Sequence, residues 1–228
     1  MRAKNITPIE NCIFDLDGTL IDSFPEISFT ITKAIARVIG ESDVVIPDSM
    51  IGPPLEAILR RLLPGRTDEV YEEIRREFRT IYDTSDYSLT ILYDGVRDIL
   101  ARLREMQCRL FLCTNKPSLP TRNLLDHFEL QCFTDIMCGD TIKRAGVDKR
   151  EMLSELKNTW KCAAARTAMV GDSPEDIFSA KSNHIVAVAY AGGYSSRDAL
   201  IQAEPDYVIN NLQELTTIVR ETHEHKYI

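Results

Sequence analysis

The sequence predicts an α/β fold: a parallel sheet with helices on both faces, plus an inserted all-helical segment. Three observations predict it. From residue 95 onward, short apolar runs alternate with segments of helical period. Between residues 22 and 86 there is no strand signal, only apolar stripes at helix spacing. Three of the apolar runs end in clustered polar residues, Asp15-x-Asp17, Thr114-Asn115 and Gly171-Asp172. Open α/β sheets bind ligands at that edge, where parallel strands end.

The elements follow in order. Ile13-Phe14-Asp15 reads as the end of a buried strand, with Asp15 at its tip. Ile27, Ile31, Ala34, Ile35 and Val38 lie at helix spacing, and Gly40 suits that helix's end. Ile51-Gly52-Pro53-Pro54 breaks the chain, and a short helix over 55–63 precedes Pro64-Gly65. Val70, Ile74, Phe78 and Ile81 form another amphipathic stripe, which reads as a packing face. Val96, Ile99, Leu100 and Leu103 mark the next helix. Beyond it the pattern predicts strands over 109–113, 135–138, 168–170, 185–189 and 207–209. Helices are predicted between and after them, over 118–127, 149–158, 174–182, 196–203 and 211–222. The predicted organisation is a Rossmann-like core over residues 1–21 and 94–228, with a helical cap over 22–93. Hinges are expected near Asp22-Ser23 and Tyr93-Asp94-Gly95.

Composition narrows the function. With 228 residues and 44% hydrophobic content, the chain can bury a full core. No apolar run is long enough to span a membrane, and the polar start of the chain does not resemble a signal peptide. The six cysteines include no Cys-x-x-Cys pair and read as free thiols in a reducing cytoplasm. A net charge of −8 argues against nucleic acid as a partner. Neither membrane nor nucleic acid is an expected partner; a small anionic molecule remains, met by locally placed cations.

The chemistry concentrates in four segments. In the first, Asp15 and Asp17 repel one another unless a proton or cation relieves them. Mg²⁺ suits such an oxygen-rich site, although Asp17-Gly18 also fits a plain turn. In the second, Thr114 and Asn115 offer a hydroxyl, an amide and backbone N–H groups of the kind phosphate oxygens accept from. In the third, Lys149 opens a helix against the usual dipole preference. It fits an anion to be neutralised, or a solvated surface lysine. In the fourth, Gly171-Asp172 ends a strand and Asp176 follows four residues on. Ser173 or Asp172 would also serve as a helix cap, with Asp176 complementing the dipole. His223-Glu224-His225 carries metal-ligating side chains but reads as a frayed, solvated end.

Together these segments resemble the four motifs of the haloacid dehalogenase superfamily, in the Asp-x-Asp-Gly-Thr form of its phosphatases and phosphotransferases. Residues 22–93 resemble its helical cap. Asp22-Ser23-Phe24-Pro25, Thr114-Asn115-Lys116 and the run from Ala191 to Ile209 are similar to the phosphoglycolate phosphatase-like branch. The resemblance implies a phosphatase in which Asp15 attacks phosphorus and forms an aspartyl-phosphate. It implies Mg²⁺ held by Asp15, Asp172 and the backbone carbonyl of Asp17. Thr114, Asn115 and Lys149 would bind the phosphoryl group, and Asp17 would exchange the proton. Asp176 and Ser173 would support the site from behind, and Gly52, in a cap loop, would contact the small phosphate ester. Arg150 stands where many relatives have Pro, which makes Lys143 a rival to Lys149. A β-phosphoglucomutase-like phosphotransferase and a non-catalytic phosphate sensor are the other readings. The expected assembly is a monomer or homodimer.

Overall fold

The structure, a computed structural model, describes residues 9–144 and 146–223. Residues 1–8 of the polar start, and Glu224 and His225 of the tail, lie outside the described residues. In chain order the strands are β1 (Asn11–Phe14), β2 (Ile21–Asp22), β3 (Ile91–Leu92), β4 (Arg109–Thr114), β5 (Asp135–Cys138), β6 (Thr167–Gly171), β7 (Val186–Tyr190) and β8 (Tyr207–Ile209). The helices are α1 (Phe24–Ile39), α2 (Leu55–Leu62), α3 (Asp68–Tyr82), α4 (Val96–Glu105), α5 (Ser118–His127), α6 (Lys149–Thr159), α7 (Pro174–Ser182), α8 (Arg197–Gln202) and α9 (Leu215–His223).

Six strands form one sheet in the order β5-β4-β1-β6-β7-β8, every neighbouring pair parallel. Successive side chains of a strand point to opposite faces, and here both faces are covered. Cys12, Phe14, Leu110, Leu112 and Val170 pack with α4, α5 and α9. Ile13, Phe111, Cys113, Met169 and Ala187 pack with α6, α7 and α8. That two-sided burial is why these strands read as unbroken apolar runs. All six cysteines are free thiols. Among the described residues no helix is long and apolar enough to cross a membrane.

Helices α1, α2 and α3 make the insert. Helix α1 packs on α3, burying Ile27, Ile31, Ala34 and Ile35 together with Ile74, Phe78 and Tyr82. Gly40 ends α1 in the left-handed conformation at φ 75°, where a Cβ would be strained.

The chain's two crossings between insert and sheet are tied by strands that the sequence pattern does not show. β2 and β3 pair antiparallel, with Ile21 opposite Leu92, and Tyr93 N donates to Leu20 O at 3.0 Å. Two residues per strand are too few to display a period. The last helix begins at Leu215 rather than 211, because Asn211 and Glu214 form a capping box around a 3₁₀ turn over Leu212–Glu214.

Candidate active site

The strand order places the candidate residues. β1 lies between β4 and β6, with Phe14 level with Leu112 on one side and Val170 on the other. Asp15 is the first residue beyond β1, Thr114 the last of β4, and Asp172 the first beyond β6. Three adjacent strands therefore bring these side chains to one edge of the sheet. Asp15 N donates to Val170 O at 2.9 Å, which holds that tip in register. Lys149 is the first residue of α6 and reaches the same edge.

The centre holds more negative than positive charge. Lys149 is 2% exposed, with its Nζ 3.0 Å from Asp15 Oδ1 and 2.7 Å from Asp176 Oδ1. Oxygens of Asp15, Asp172 and Asp176 lie within 4.8 Å of one another. Three carboxylates thus face one ammonium. Burial drives the Asp15 carboxyl well above its ordinary range; Lys149 pulls it down, while Asp176, Asp172 and Asp17 add to the rise. Asp172 is pushed up to about 7, by burial first and then by Asp176. Burial opposes the charge on Lys149, but Asp15 and Asp176 outweigh it and hold the ammonium well above its usual value.

The fit of a divalent cation follows from that imbalance. Ionised, the cluster carries two uncompensated negative charges. Asp15 Oδ1 is buried and accepts no well-directed hydrogen bond, despite its proximity to Lys149. Asp176 is already committed: its Oδ2 accepts from Ser173 N at 3.0 Å and Ser173 Oγ at 2.6 Å, in a capping box that opens α7. Asp172 is steered by Thr19 Oγ1 at 3.0 Å and by Tyr194 N at 2.8 Å. Gly193 makes that approach possible, since a Cβ there would stand 2.2 Å from Gly18 O and 2.3 Å from Asp172 Cβ. Asp15 Oδ1 is therefore open to a hard cation, each Asp172 oxygen accepts one hydrogen bond and keeps a second lone pair for it, and Mg²⁺ chemistry suits them.

Asp17 faces another way. Its Oδ1 accepts from Ser23 Oγ and lies 3.0 Å from Lys116 Nζ. Lys116 also donates to Tyr82 Oη at 2.9 Å, which links the core to the end of α3. Of the metal-site residues named from the sequence, Asp17 is the one whose carboxylate lies outside the three-acid cluster. Thr114 is buried, and its Oγ1 accepts from Lys116 N at 3.2 Å. Asn115 Nδ2 donates to Glu175 Oε2 at 2.8 Å and to Gly52 O at 3.2 Å, so it bridges to the loop before α2. Lys143 is exposed, whereas Lys149 is buried.

A cleft of about 300 Å³ opens between insert and sheet edge. Gly52, Ile58, Phe78 and Tyr82 line it from one side, Asp17 and Lys116 from the other. Two residues of this region have no role in the sequence reading. Lys116 could have been singled out as a cation directly after Thr114-Asn115. Tyr194 could not: its hydroxyl accepts from Ser23 N at 2.8 Å and Phe24 N at 3.0 Å, contacts that span some 170 positions of chain.

The model of the haloacid dehalogenase-like hydrolase family matches residues 12–190. The chain belongs to that family. A phosphoglycolate phosphatase of Vibrio cholerae is 30% identical over 217 residues, which cover 90% of this chain and 95% of that protein. One of Pseudomonas fluorescens is 31% identical over 212 residues, covering 89% and 77%. Among solved structures, a haloacid dehalogenase-like hydrolase of Streptococcus pneumoniae matches with a TM-score of 0.76 at 23% identity, over 92% of this chain and 97% of that one. CbbY from Rhodobacter sphaeroides, solved with phosphate, matches with a TM-score of 0.71 at 17% identity, over 91% and 96%. These two likenesses concern the fold. As a haloacid dehalogenase-like hydrolase, the chain falls in the branch with the phosphoglycolate phosphatases.

Proposed function

We propose that this enzyme is a Mg²⁺-dependent phosphatase of small phosphate monoesters, phosphoglycolate foremost, working through a phosphorylated Asp15. The observation that carries the reading is the buried Asp15 carboxylate at the tip of the central strand, next to Lys149 and Asp172. The names of its relatives support the substrate. Six free thiols in a fold that uses no disulfide suit a reducing compartment, and we place the enzyme in the cytoplasm.

The residues divide the work. An Asp15 oxygen attacks phosphorus, and the bond to the ester oxygen breaks. Asp17 gives its proton to the departing oxygen, then takes one from the water that attacks the phosphoaspartate. That attack releases phosphate and restores the Asp15 carboxylate. Lys149 balances phosphoryl charge, and Thr114 with the Asn115 amide orients the phosphoryl oxygens. Asp176, fixed by Ser173, aims Lys149. Mg²⁺ on Asp15, Asp172 and the Asp17 carbonyl would lower the repulsion between two anions that must meet. Gly52 and its loop close over the organic part of the ester.

The test is turnover of 2-phosphoglycolate and p-nitrophenyl phosphate in Mg²⁺. Activity abolished by EDTA, restored by Mg²⁺ and absent in Asp15→Asn is the expected result. Full turnover in metal-free buffer would overturn the reading.

A further inference from the structure

The site contains two buried ammonium groups, and the phosphoryl chemistry uses only one. Lys149 stands with Asp15 and Asp176. Lys116 stands apart, its side chain 5% exposed, and lines the cleft. An ammonium has three donors. On Lys116 one faces Asp17 Oδ1 at 3.0 Å and one goes to Tyr82 Oη at 2.9 Å. The third has no partner among the described residues. Burying a lysine is costly unless its charge is met, and the Asp17 that meets it here is also the residue assigned to the leaving oxygen.

We propose that Lys116 is a specificity residue that receives a carboxylate of the substrate, placed one carbon from the ester oxygen. This rests on the phosphatase reading and names the substrate class of that site. The distance follows from Asp17. A group that protonates the ester oxygen must lie within hydrogen-bond reach of it. Lys116 Nζ lies a further 3.0 Å from Asp17 Oδ1. A second anion held by Lys116 is therefore only a few bonds from the ester oxygen, as in an α-phosphoryloxy carboxylate. The charge follows from the donors. One compact ammonium and one tyrosine hydroxyl match a monoanion, and the two arginines that line the same cleft, Arg75 and Arg79, face Glu56, Glu72 and Asp83 instead. Lys116 already displays the pairing, since its present partner is itself a carboxylate.

The cap completes the subsite. Tyr82 Oη holds Nζ, and the ammonium lies 4.8 Å from the centre of the Tyr82 ring. The tyrosine comes from the last turn of α3 and the lysine from the loop after β4. The subsite is therefore whole only with the cap seated on the sheet edge.

The experiment compares kcat/KM for 2-phosphoglycolate and ethyl phosphate, which differ at the terminal carbon by carboxylate against methyl. The wild-type enzyme in Mg²⁺ should favour the carboxylate ester by about 10- to 100-fold, the value of one charge-assisted hydrogen bond. Lys116→Gln should bring that ratio to within a few-fold, mainly by raising KM for 2-phosphoglycolate. Tyr82→Phe, which keeps the ring, should lower the ratio less. Calorimetry on Asp15→Asn protein should show the same preference in binding, with no turnover involved. Equal losses on both esters in Lys116→Gln would mean that the lysine only positions Asp17, and would overturn the inference. So would a wild-type enzyme that hydrolyses p-nitrophenyl phosphate but does not distinguish the two esters. A wild-type enzyme inactive on all three compounds would instead overturn the phosphatase reading.

Discussion

Asp15 and Asp17 are the same residue type two positions apart, yet their surroundings differ in kind. Asp15 shares a buried space with two further carboxylates and Lys149, while Asp17 has Ser23 and Lys116. The first is the nucleophile in the proposed reaction and the second moves the proton, and substitution should separate them. Asp15→Asn should give no phosphoenzyme with any ester. Asp17→Asn should lose about a hundred- to ten-thousand-fold in turnover of 2-phosphoglycolate. With p-nitrophenyl phosphate the leaving group needs little help, so phosphorylated Asp17→Asn protein should accumulate and be seen by intact-mass measurement. Phosphoenzyme on Asp15→Asn would reassign the nucleophile. Equal loss with both leaving groups in Asp17→Asn would assign Asp17 to the metal rather than the proton. Lys149 carries a second, structural consequence. Asp176 is 0% exposed and spends one oxygen on it. Lys149→Met should therefore cost about 3–5 kcal/mol of stability, the usual result of breaking a buried ion pair, measured by urea unfolding.

The strands and helices that position the site differ in how plainly the sequence announces them. Strands buried on both faces, such as β1, β4 and β6, show as apolar runs, and the polar residue after each run marks its tip. The amphipathic helices α1, α3 and α4 show by period. The β2–β3 ribbon and the contacts of Tyr194 do not show, because each depends on residues far apart in the chain and too few to make a pattern. The acidic residues of the site were legible as motif positions, and so was the support that Asp176 gives Lys149, but the partners of Asp17 and Asp172 were not. That Asp17 pairs with Lys116 rather than with the other acids is a matter of side-chain direction after the strand has ended. Tyr194 gives an element-scale prediction. Its hydroxyl accepts from two backbone N–H groups at the start of α1 and donates to Asp22 Oδ1 at 3.1 Å. Ser23 is 0% exposed, so removing the hydroxyl leaves a buried donor unmet. Tyr194→Phe should cost about 1–3 kcal/mol and loosen the first hinge, seen as faster proteolytic cleavage near Ser23 and a raised KM. Unchanged stability and cleavage would mean that the ribbon alone fixes the hinge.

For the molecule as a whole, the excess of acid at the sheet edge ties folding to the ionisation of its carboxyls, and the proposed Mg²⁺ would act on the same charges. The chain carries a net charge of −8, and three buried acids, Asp15, Asp172 and Asp176, crowd one site. Without metal, Asp172 is held at about 7 against 3.8 for an unperturbed carboxyl. A carboxyl whose folded value is raised favours folding while it is protonated and opposes it once ionised. The metal-free protein should therefore lose stability as pH rises from about 4 through 7. Mg²⁺ held as proposed would bind the folded state alone and should offset that loss, by about 2.7 kcal/mol at a hundred times its Kd. For a chain of this size that is a rise in Tm of about 5–10 °C. Asp172→Asn separates the two effects. It removes a repelled charge and a metal ligand together, so at pH 8 the metal-free variant should melt above the metal-free wild type. Its Tm should barely respond to Mg²⁺, and its turnover should match that of wild type in EDTA. Thermal melts of both proteins, at pH 5 and pH 8 with and without Mg²⁺, make the comparison. A variant that melts below metal-free wild type at pH 8 would show that Asp172 is held by Thr19 and Tyr194 more firmly than it is repelled by Asp176. The acidic edge would then be stable in its own right, with no need of a cation to fold.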